Sequence, residues 1–290
     1  MEGGKIKNII IVLLLLLNGF LLVLVGGRWA EDSHSHELAR NSAIEIIRAG
    51  GVRLEEKTVP QDTQLPALQA RRDLVRETEL AAALLGGPVS VEALGGEVYR
   101  CSNENGWIQF HSTGEFMAEL EEGFFPLDQE AARHGAGLLA GLGFDSRVVE
   151  DTVENGTGSV TLGQVLGGVP VLNCQAVLRY RDGELVSIAQ GSRVPGETAA
   201  AAGEENMSVA TALMRLYNGL KELGDIYTRM ESITPAYTMS VSLSGPAQLD
   251  PVWHIQTDTG TYEMDLHTGR IGRLGSAAMA AEMPVSETEQ

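Results

Sequence analysis

The feature that most constrains this chain is an apolar run at its start. Ile9 to Val25 is interrupted only by Asn18 and Gly19, and Gly26 and Gly27 extend it to residues 9–27. At 1.5 Å per residue the run makes about 28 Å of helix, close to the hydrocarbon thickness of a bilayer. Lys5 and Lys7 precede it, and Glu31 and Asp32 follow. Leading positive charge stays on the cytoplasmic side, so the pattern predicts a single-pass membrane protein. Residues 1–8 would lie in the cytoplasm and the C-terminal domain would be extracytoplasmic. Trp29 stands where an interfacial aromatic belongs. A cleaved leader fits less well, because the apolar region is too long and Arg28 spoils a cut after Ala30.

Asn18 is the strongly polar residue of the run. An amide in lipid seeks a partner, which makes Asn18 a candidate helix–helix contact. Leu14, Leu15, Leu22 and Val25 share its face by three- and four-residue spacing. Asn18, Leu14 and Leu22 are therefore the candidate contact residues. A single Asn in a long leucine run is also tolerable without a partner.

After the anchor, 28–36 reads as a juxtamembrane linker and 37–125 as an N-terminal α+β subdomain. Within it, Glu37 to Ala49 has helical spacing and stops at Gly50-Gly51. Val52 to Val59 reads as a strand and Ala70 to Leu85 as a helix. Gly96 to Ser102 and Gly106 to Phe116 read as two extended stretches around Asn103-Glu104-Asn105.

From there one pattern recurs. Asp128 can cap a helix through Leu142, and strands follow at Arg147 to Val153, Ser159 to Val165, Val171 to Tyr180 and Glu184 to Val194. The last two flank Asp182-Gly183, a dipeptide suited to a two-residue hairpin turn. Ser208 caps a second helix with a stripe of Val209, Leu213, Leu216, Leu220 and Leu223. Strands are expected at Ile226 to Ile233, Ala236 to Leu243, Val252 to Thr257 and Thr261 to Leu266. Pro251-Val252 follows Ser208 at nearly the spacing with which Pro170-Val171 follows Asp128. The expected fold class is thus α+β: an N-terminal transmembrane helix, then modules of a helix packed on antiparallel sheet, in two similar copies. The modules span 126–195 and 207–275, joined by an Ala- and Glu-rich linker, 196–206. Residues 276–290 are small and acidic and read as a disordered tail.

Charge and chemistry narrow the function. With 39 acidic and 21 basic residues, the chain would repel nucleic-acid phosphate and anionic headgroups, so nucleic acid is not an expected partner of its folded part. Two cysteines, Cys101 and Cys174, exclude a disulfide scaffold and leave one bridge or two buried thiols open. Asn155-Gly156-Thr157 fits a glycosylation sequon, a short pattern that carries no assignment here.

Asp258-Thr259-Gly260 is the aspartic-protease tripeptide, but that chemistry needs a second carboxylate loop and an apolar strand before it. A hairpin turn between Ile255 and Tyr262 accounts for it. His34-Ser35-His36-Glu37 lacks the further ligand of a tetrahedral metal set and reads as linker. His111, His134, His254 and His267 are scattered. No Gly-x-Ser-x-Gly elbow occurs, and Gly156-Thr157-Gly158 lacks the rest of a phosphate loop. Trp253 and Ile255, with Tyr262, Met264 and Leu266, alternate as the apolar side of a half-buried hairpin. No catalytic residue, cofactor or metal is expected.

Three segments resemble the YycI/YycH regulatory proteins of the cell-wall two-component system in Gram-positive bacteria. The first runs from Lys5-Ile6-Lys7-Asn8 through Leu17-Asn18-Gly19-Phe20. The second is Ile46-Ile47-Arg48-Ala49-Gly50-Gly51-Val52. The third joins Ala212-Leu213-Met214-Arg215-Leu216-Tyr217 to Ile233-Thr234-Pro235-Ala236-Tyr237, Pro251-Val252-Trp253 and Tyr262 through Ile271. The closing hairpin is also similar to a PepSY-type repeat, while residues 86–125 match no named family.

The resemblance implies a non-enzymatic accessory regulator of a membrane sensor histidine kinase. Its partners would be the kinase, a sister single-span regulator, or both, with the lipid bilayer around the anchor. The alternative is an extracytoplasmic PepSY-like module that binds a peptide or a protease without any kinase. A hydrolase with a dispersed site is a third, weaker reading.

Overall fold

The structure, a computed structural model, describes residues 35–61, 65–201, 205–242 and 245–274. In chain order come α1 (35–49), a 3-10 turn at Glu56–Thr58, β1 (Leu68–Ala70), α2 (Leu74–Leu84) and β2 (Ser90–Gly95). Next are β3 (Val98–Asn103), β4 (Gly106–Phe110), β5 (Glu115–Leu120), α3 (Ala131–Gly141), β6 (Ser146–Asp151) and β7 (Gly158–Leu166). Then come β8 (Val169–Arg181), β9 (Glu184–Ser192), β10 (Thr198–Ala200), α4 (Val209–Glu222) and β11 (Met230–Ser240). The chain closes with β12 (Ala247–Thr257), β13 (Thr261–Asp265) and β14 (Ile271–Arg273).

Local chemistry sets several of these boundaries. Asp73 caps α2, its carboxylate accepting from the Val75 and Arg76 amides at 3.0 Å each. Ser208 caps α4 by accepting from the Thr211 amide at 3.4 Å. Asp182 and Gly183 both take positive φ, 52° and 81°, as a two-residue hairpin turn requires. The expected strand at Val52 to Val59 instead yields an isolated bridge at Arg53 and the 3-10 turn. The stretch expected to run unbroken from Gly106 to Phe116 folds back on itself as β4 and β5. Pro235, expected between two strands, lies inside β11 at a point where only β12 pairs with it, so its missing N–H costs no ladder bond.

The strands do not divide into two antiparallel modules as expected. They form one 14-stranded sheet, because β8 and β11 pair in parallel through Val171 and Tyr237. β8 is 13 residues long and can serve several neighbours. β7 runs along one of its edges, while the other is shared between β9, from Ala176 onward, and β11. β12 is divided likewise: β11 takes one edge, and β1 and β13 share the other. Alternation in the sequence shows which face of a strand is buried, but not how its edges are shared. The membrane segment of the expected fold, 9–27, lies outside the described residues. Among the described residues no helix is long and apolar enough to cross a membrane.

Two cores result, each lying between a pair of helices and one sheet face. In the larger half, α2 and α3 cover a row running Val160–Leu178–Ile188–Ala118–Ile108–Cys101 across β7, β8, β9, β5, β4 and β3. Every member of that row is at most 1% exposed. In the smaller half, α1 and α4 cover Ile233, Trp253, Ile255, Tyr262 and Met264 of β11–β13. Both halves have a glycine where a helix touches the sheet. A Cβ on Gly135 of α3 would come within 2.8 Å of Leu178 Cδ2, and one on Gly219 of α4 within 2.4 Å of Ile271 Cδ1.

The halves meet at Ala70, Val171, Cys174, Val194, Tyr237, Met239 and Leu249. Asn173 fixes the parallel register by donating to the Met239 carbonyl at 2.6 Å and accepting from its amide at 2.8 Å. Close by, Glu77 holds two arginines at once. Arg72 donates to Glu77 Oε2 through Nε and Nη2 at 3.0 and 2.8 Å, and Arg193 donates to Oε1 at 2.9 Å. The Glu77 and Arg193 side chains are only 4% and 7% exposed, so each charge depends on the other.

Candidate functional site

The inner row of the larger half is closed; the outer face of the same strands is not. One residue further along each strand, the register gives Ser159–Arg179–Ser187–Glu119–Trp107–Ser102–Ser90. These side chains point away from α2 and α3, and no described element packs over them. β5 displays the alternation plainly, with Phe116, Ala118 and Leu120 buried and Glu115, Met117 and Glu119 exposed.

Part of this face is held rigid by its own contacts. The Arg100 guanidinium lies 4.4 Å from the Trp107 ring centroid and donates to Gln109 Oε1 at 3.0 Å. Trp107 Nε1 donates to Glu119 Oε2 at 3.2 Å, and the Gln109 amide meets the His111 ring at 2.9 Å. The stack and the hydrogen bonds fix Trp107 and Arg100, the residue types that most often anchor protein contacts, with little ordering left to do on binding.

Beside this ladder is an open groove of about 680 Å³, lined by Glu119, Glu122, Thr157, Ser159, Arg179 and Arg181 among others. Its closed end is a knot of loops. Gly183 N donates to Gly156 O at 3.0 Å, Asp182 N donates to Thr157 Oγ1 at 3.1 Å, and Gly123 N donates to Glu184 Oε2 at 2.7 Å. Arg179 and Arg181 are exposed and form no ion pair with a described residue, although the chain carries a net charge of −18. The arrangement is suited to recognition: a fixed aromatic–guanidinium anchor, exposed charges of both signs, and the Ser187 hydroxyl between them.

The residues singled out in the sequence lie elsewhere. Asn18, Leu14 and Leu22 fall outside the described residues. Asp258 sits in the β12–β13 turn and ties down the loop before β11, accepting from Thr228 N at 3.0 Å, Thr228 Oγ1 at 2.6 Å and Arg229 N at 3.2 Å. The Thr228 hydroxyl, helped by these amides, holds its carboxyl below the usual carboxylate range.

His134 is buried against Tyr180, Nδ1 to Oη 3.1 Å, and burial lowers its pKa. His254 is half-buried on the other half and lowered by burial and by the nearby Arg147. Cys101 and Cys174 are free, buried and far apart in the fold, and burial pushes the Cys174 thiol up to about 12. Among the described residues no three His, Cys, Asp or Glu side chains are grouped to hold a metal. Trp107, Arg100, Arg179 and Arg181 were not marked by any motif. Their only signal is a large aromatic and arginines on the solvent phase of alternating strands.

No family model and no curated protein matches the chain. Among solved structures, it is similar to an uncharacterized protein from Eubacterium rectale, with 14% identity and a TM-score of 0.44 over 73% of this chain and 86% of that one. A second structural neighbour is the Bacillus megaterium YpeB C-terminal domain, with 12% identity and a TM-score of 0.34 over 71% of this chain and 98% of that domain. Neither neighbour carries the YycI or YycH name, and likenesses this distant do not bear on function.

Proposed function

We propose that the chain is a membrane-attached accessory regulator that works by protein contact, without chemistry of its own, on a sensor histidine kinase. The observation that carries this reading is the uncovered outer face of the larger half, with its Trp107–Arg100 anchor beside a groove. A sheet that leaves such a face bare has a surface to offer a partner. The apolar run Ile9 to Val25 and the resemblance of the opening and closing segments to YycI/YycH proteins point to a membrane kinase. Attached to the membrane by residues 9–27, the folded part would lie outside the cytoplasm. Its binding would shift the kinase between two states by the difference in contact energy with each.

The test is a photo-crosslinker in place of Asn18 in the native host, followed by mass spectrometry of the adducts. A histidine kinase or a second single-span regulator in the adduct supports the reading. The groove favours the alternative of a peptide- or protease-binding module. That alternative would be supported if position 18 gave no adduct while the outer face trapped a peptide or a protease.

A further inference from the structure

The geometry points to the groove beside Trp107 as a seat for an extended polypeptide segment of a partner protein, one that carries an acidic and a basic side chain about three residues apart. This rests on the reading above and names the partner surface that reading requires.

The charge layout carries the argument. Arg179 and Glu119 both pair with Ser187 of β9, from opposite sides. They therefore stand two strand spacings apart, about 10 Å. Arg181 follows Arg179 on the same face of β8, and Glu122 joins Glu119 at the groove rim. The groove is bipolar, with two exposed guanidinium groups on its β8 side and two carboxylates on its β5 side.

A polyanion fits poorly, since Glu119, Glu122 and a net charge of −18 repel it. A polycation would meet Arg179 and Arg181. A polypeptide can present both signs, and about three residues of extended chain span 10 Å. Ser187 lies between the charges and can bond a backbone running across them, and Ser159 continues the row beyond Arg179. The Trp107 ring, fixed by Arg100 and Glu119, gives the segment an apolar anchor at one end.

The test places a photo-crosslinker at Ser187 of the full chain in the native host, in parallel with the one at Asn18. The expected adduct joins Ser187 to another protein, at a segment with an acidic and a basic residue about three positions apart. Its yield falls at least tenfold in a chain bearing Arg179→Glu and Arg181→Glu, and likewise in one bearing Glu119→Lys and Glu122→Lys. The Arg179→Glu, Arg181→Glu chain retains the parent's melting temperature, since both side chains are at the surface, while Glu119→Lys also loses the Trp107 Nε1 bond and lowers it slightly without unfolding the chain. Reversing the matching charge in the trapped segment restores the yield.

Adducts to lipid or glycan, or to this chain's own residues 275–290, overturn the proposal. So does a protein adduct whose yield ignores both charge reversals. An adduct at Asn18 with none at Ser187 removes this surface and leaves the regulator standing. No adduct at either position removes both.

Discussion

The halves of the sheet share a plan and differ in how their faces are used. Each lays a pair of helices on one face. In the larger half the opposite face is bare, and its inner row is free of polar atoms apart from the Cys101 thiol. In the smaller half the middle of the opposite face is also covered: Ala236 and Val252 are 0% and 3% exposed, and Arg147 of β6 lies near His254. Its core holds polar atoms with no partner among the described residues, Tyr227 Oη and Trp253 Nε1, whereas in the larger half the atoms in that state, Arg100 Nε and Ser146 Oγ, lie outside the inner row. The difference teaches how each half closes its core. The larger half packs an apolar row on one face and leaves the other open, while the smaller half is enclosed and keeps unpartnered polar atoms among its core side chains.

The largest effect should come at the junction. Glu77→Ala leaves Arg193 buried and uncompensated, and should cost about 3–5 kcal/mol in a urea titration. If the halves are one cooperative unit, hydrogen exchange will show strands of both halves losing protection together. Separate losses, with β11–β13 unchanged, would mean that the parallel β8–β11 contact does not couple them.

Gly135→Ala and Gly219→Ala compare the two helix–sheet contacts. At Gly135 the added methyl meets buried Leu178, Tyr180 and Leu162 and should destabilise by about 1–3 kcal/mol by thermal melting. At Gly219 it meets the end of half-buried Ile271, which can swing aside, so Gly219→Ala should cost less than Gly135→Ala; equal costs would mean that Ile271 is held as firmly as Leu178.

A pair of tyrosines sharpens the contrast, because one substitution should give opposite signs. Tyr180 Oη donates to the Ala131 carbonyl and accepts from His134, both at 3.1 Å, so Tyr180→Phe should cost about 1–2 kcal/mol. Tyr227 Oη has no partner among the described residues, so Tyr227→Phe should be neutral or stabilising by up to about 1 kcal/mol. Equal costs for both would show that Tyr227 is satisfied after all and that the contrast between the cores is wrong.

The gentlest effect is with pH. Burial lowers the pKa of His134 and of His254 from the ordinary 6.5, so the unfolded chain takes up protons that the fold resists. Stability is therefore full above that value and declines as pH falls through it. His134→Gln should flatten part of the difference between melting temperatures at neutral and mildly acidic pH, and a variant with both histidines replaced more of it.

Much of the architecture was legible because burial imposes a period. The stripe of α4 up to Leu220, the Asp182-Gly183 turn and the strands of 158–192 follow from alternation and capping alone, while Leu223, expected in that stripe, is exposed at the end of the helix. The union of the halves was not legible, because it depends on a long β8 sharing one edge between two partners, and edge use leaves no period in a sequence. α1 shows the same limit: Ala39, Ala43, Ile46 and Ile47 at helical spacing predict the helix, but Ile44 and not Ile46 is buried, and the spacing does not say that the face packs with α4, more than 150 residues away in the chain. The outer face was not legible because its phase has ordinary solvent-facing polarity, with Trp107 and Met117 as outlying large side chains.

The most direct test of that face is its accessibility in cells. Native Cys101 and Cys174 are 1% and 0% exposed and should stay silent to a membrane-impermeant maleimide. Met117→Cys places a thiol on the outer face of the larger half, and Gln256→Cys places one on the exposed rim of the smaller. In the purified full chain both should label readily. In intact cells of the native host, position 256 should label as before while position 117 is protected at least tenfold. Equal labelling at both positions in cells would contradict the claim that the bare face is where this protein meets its partner.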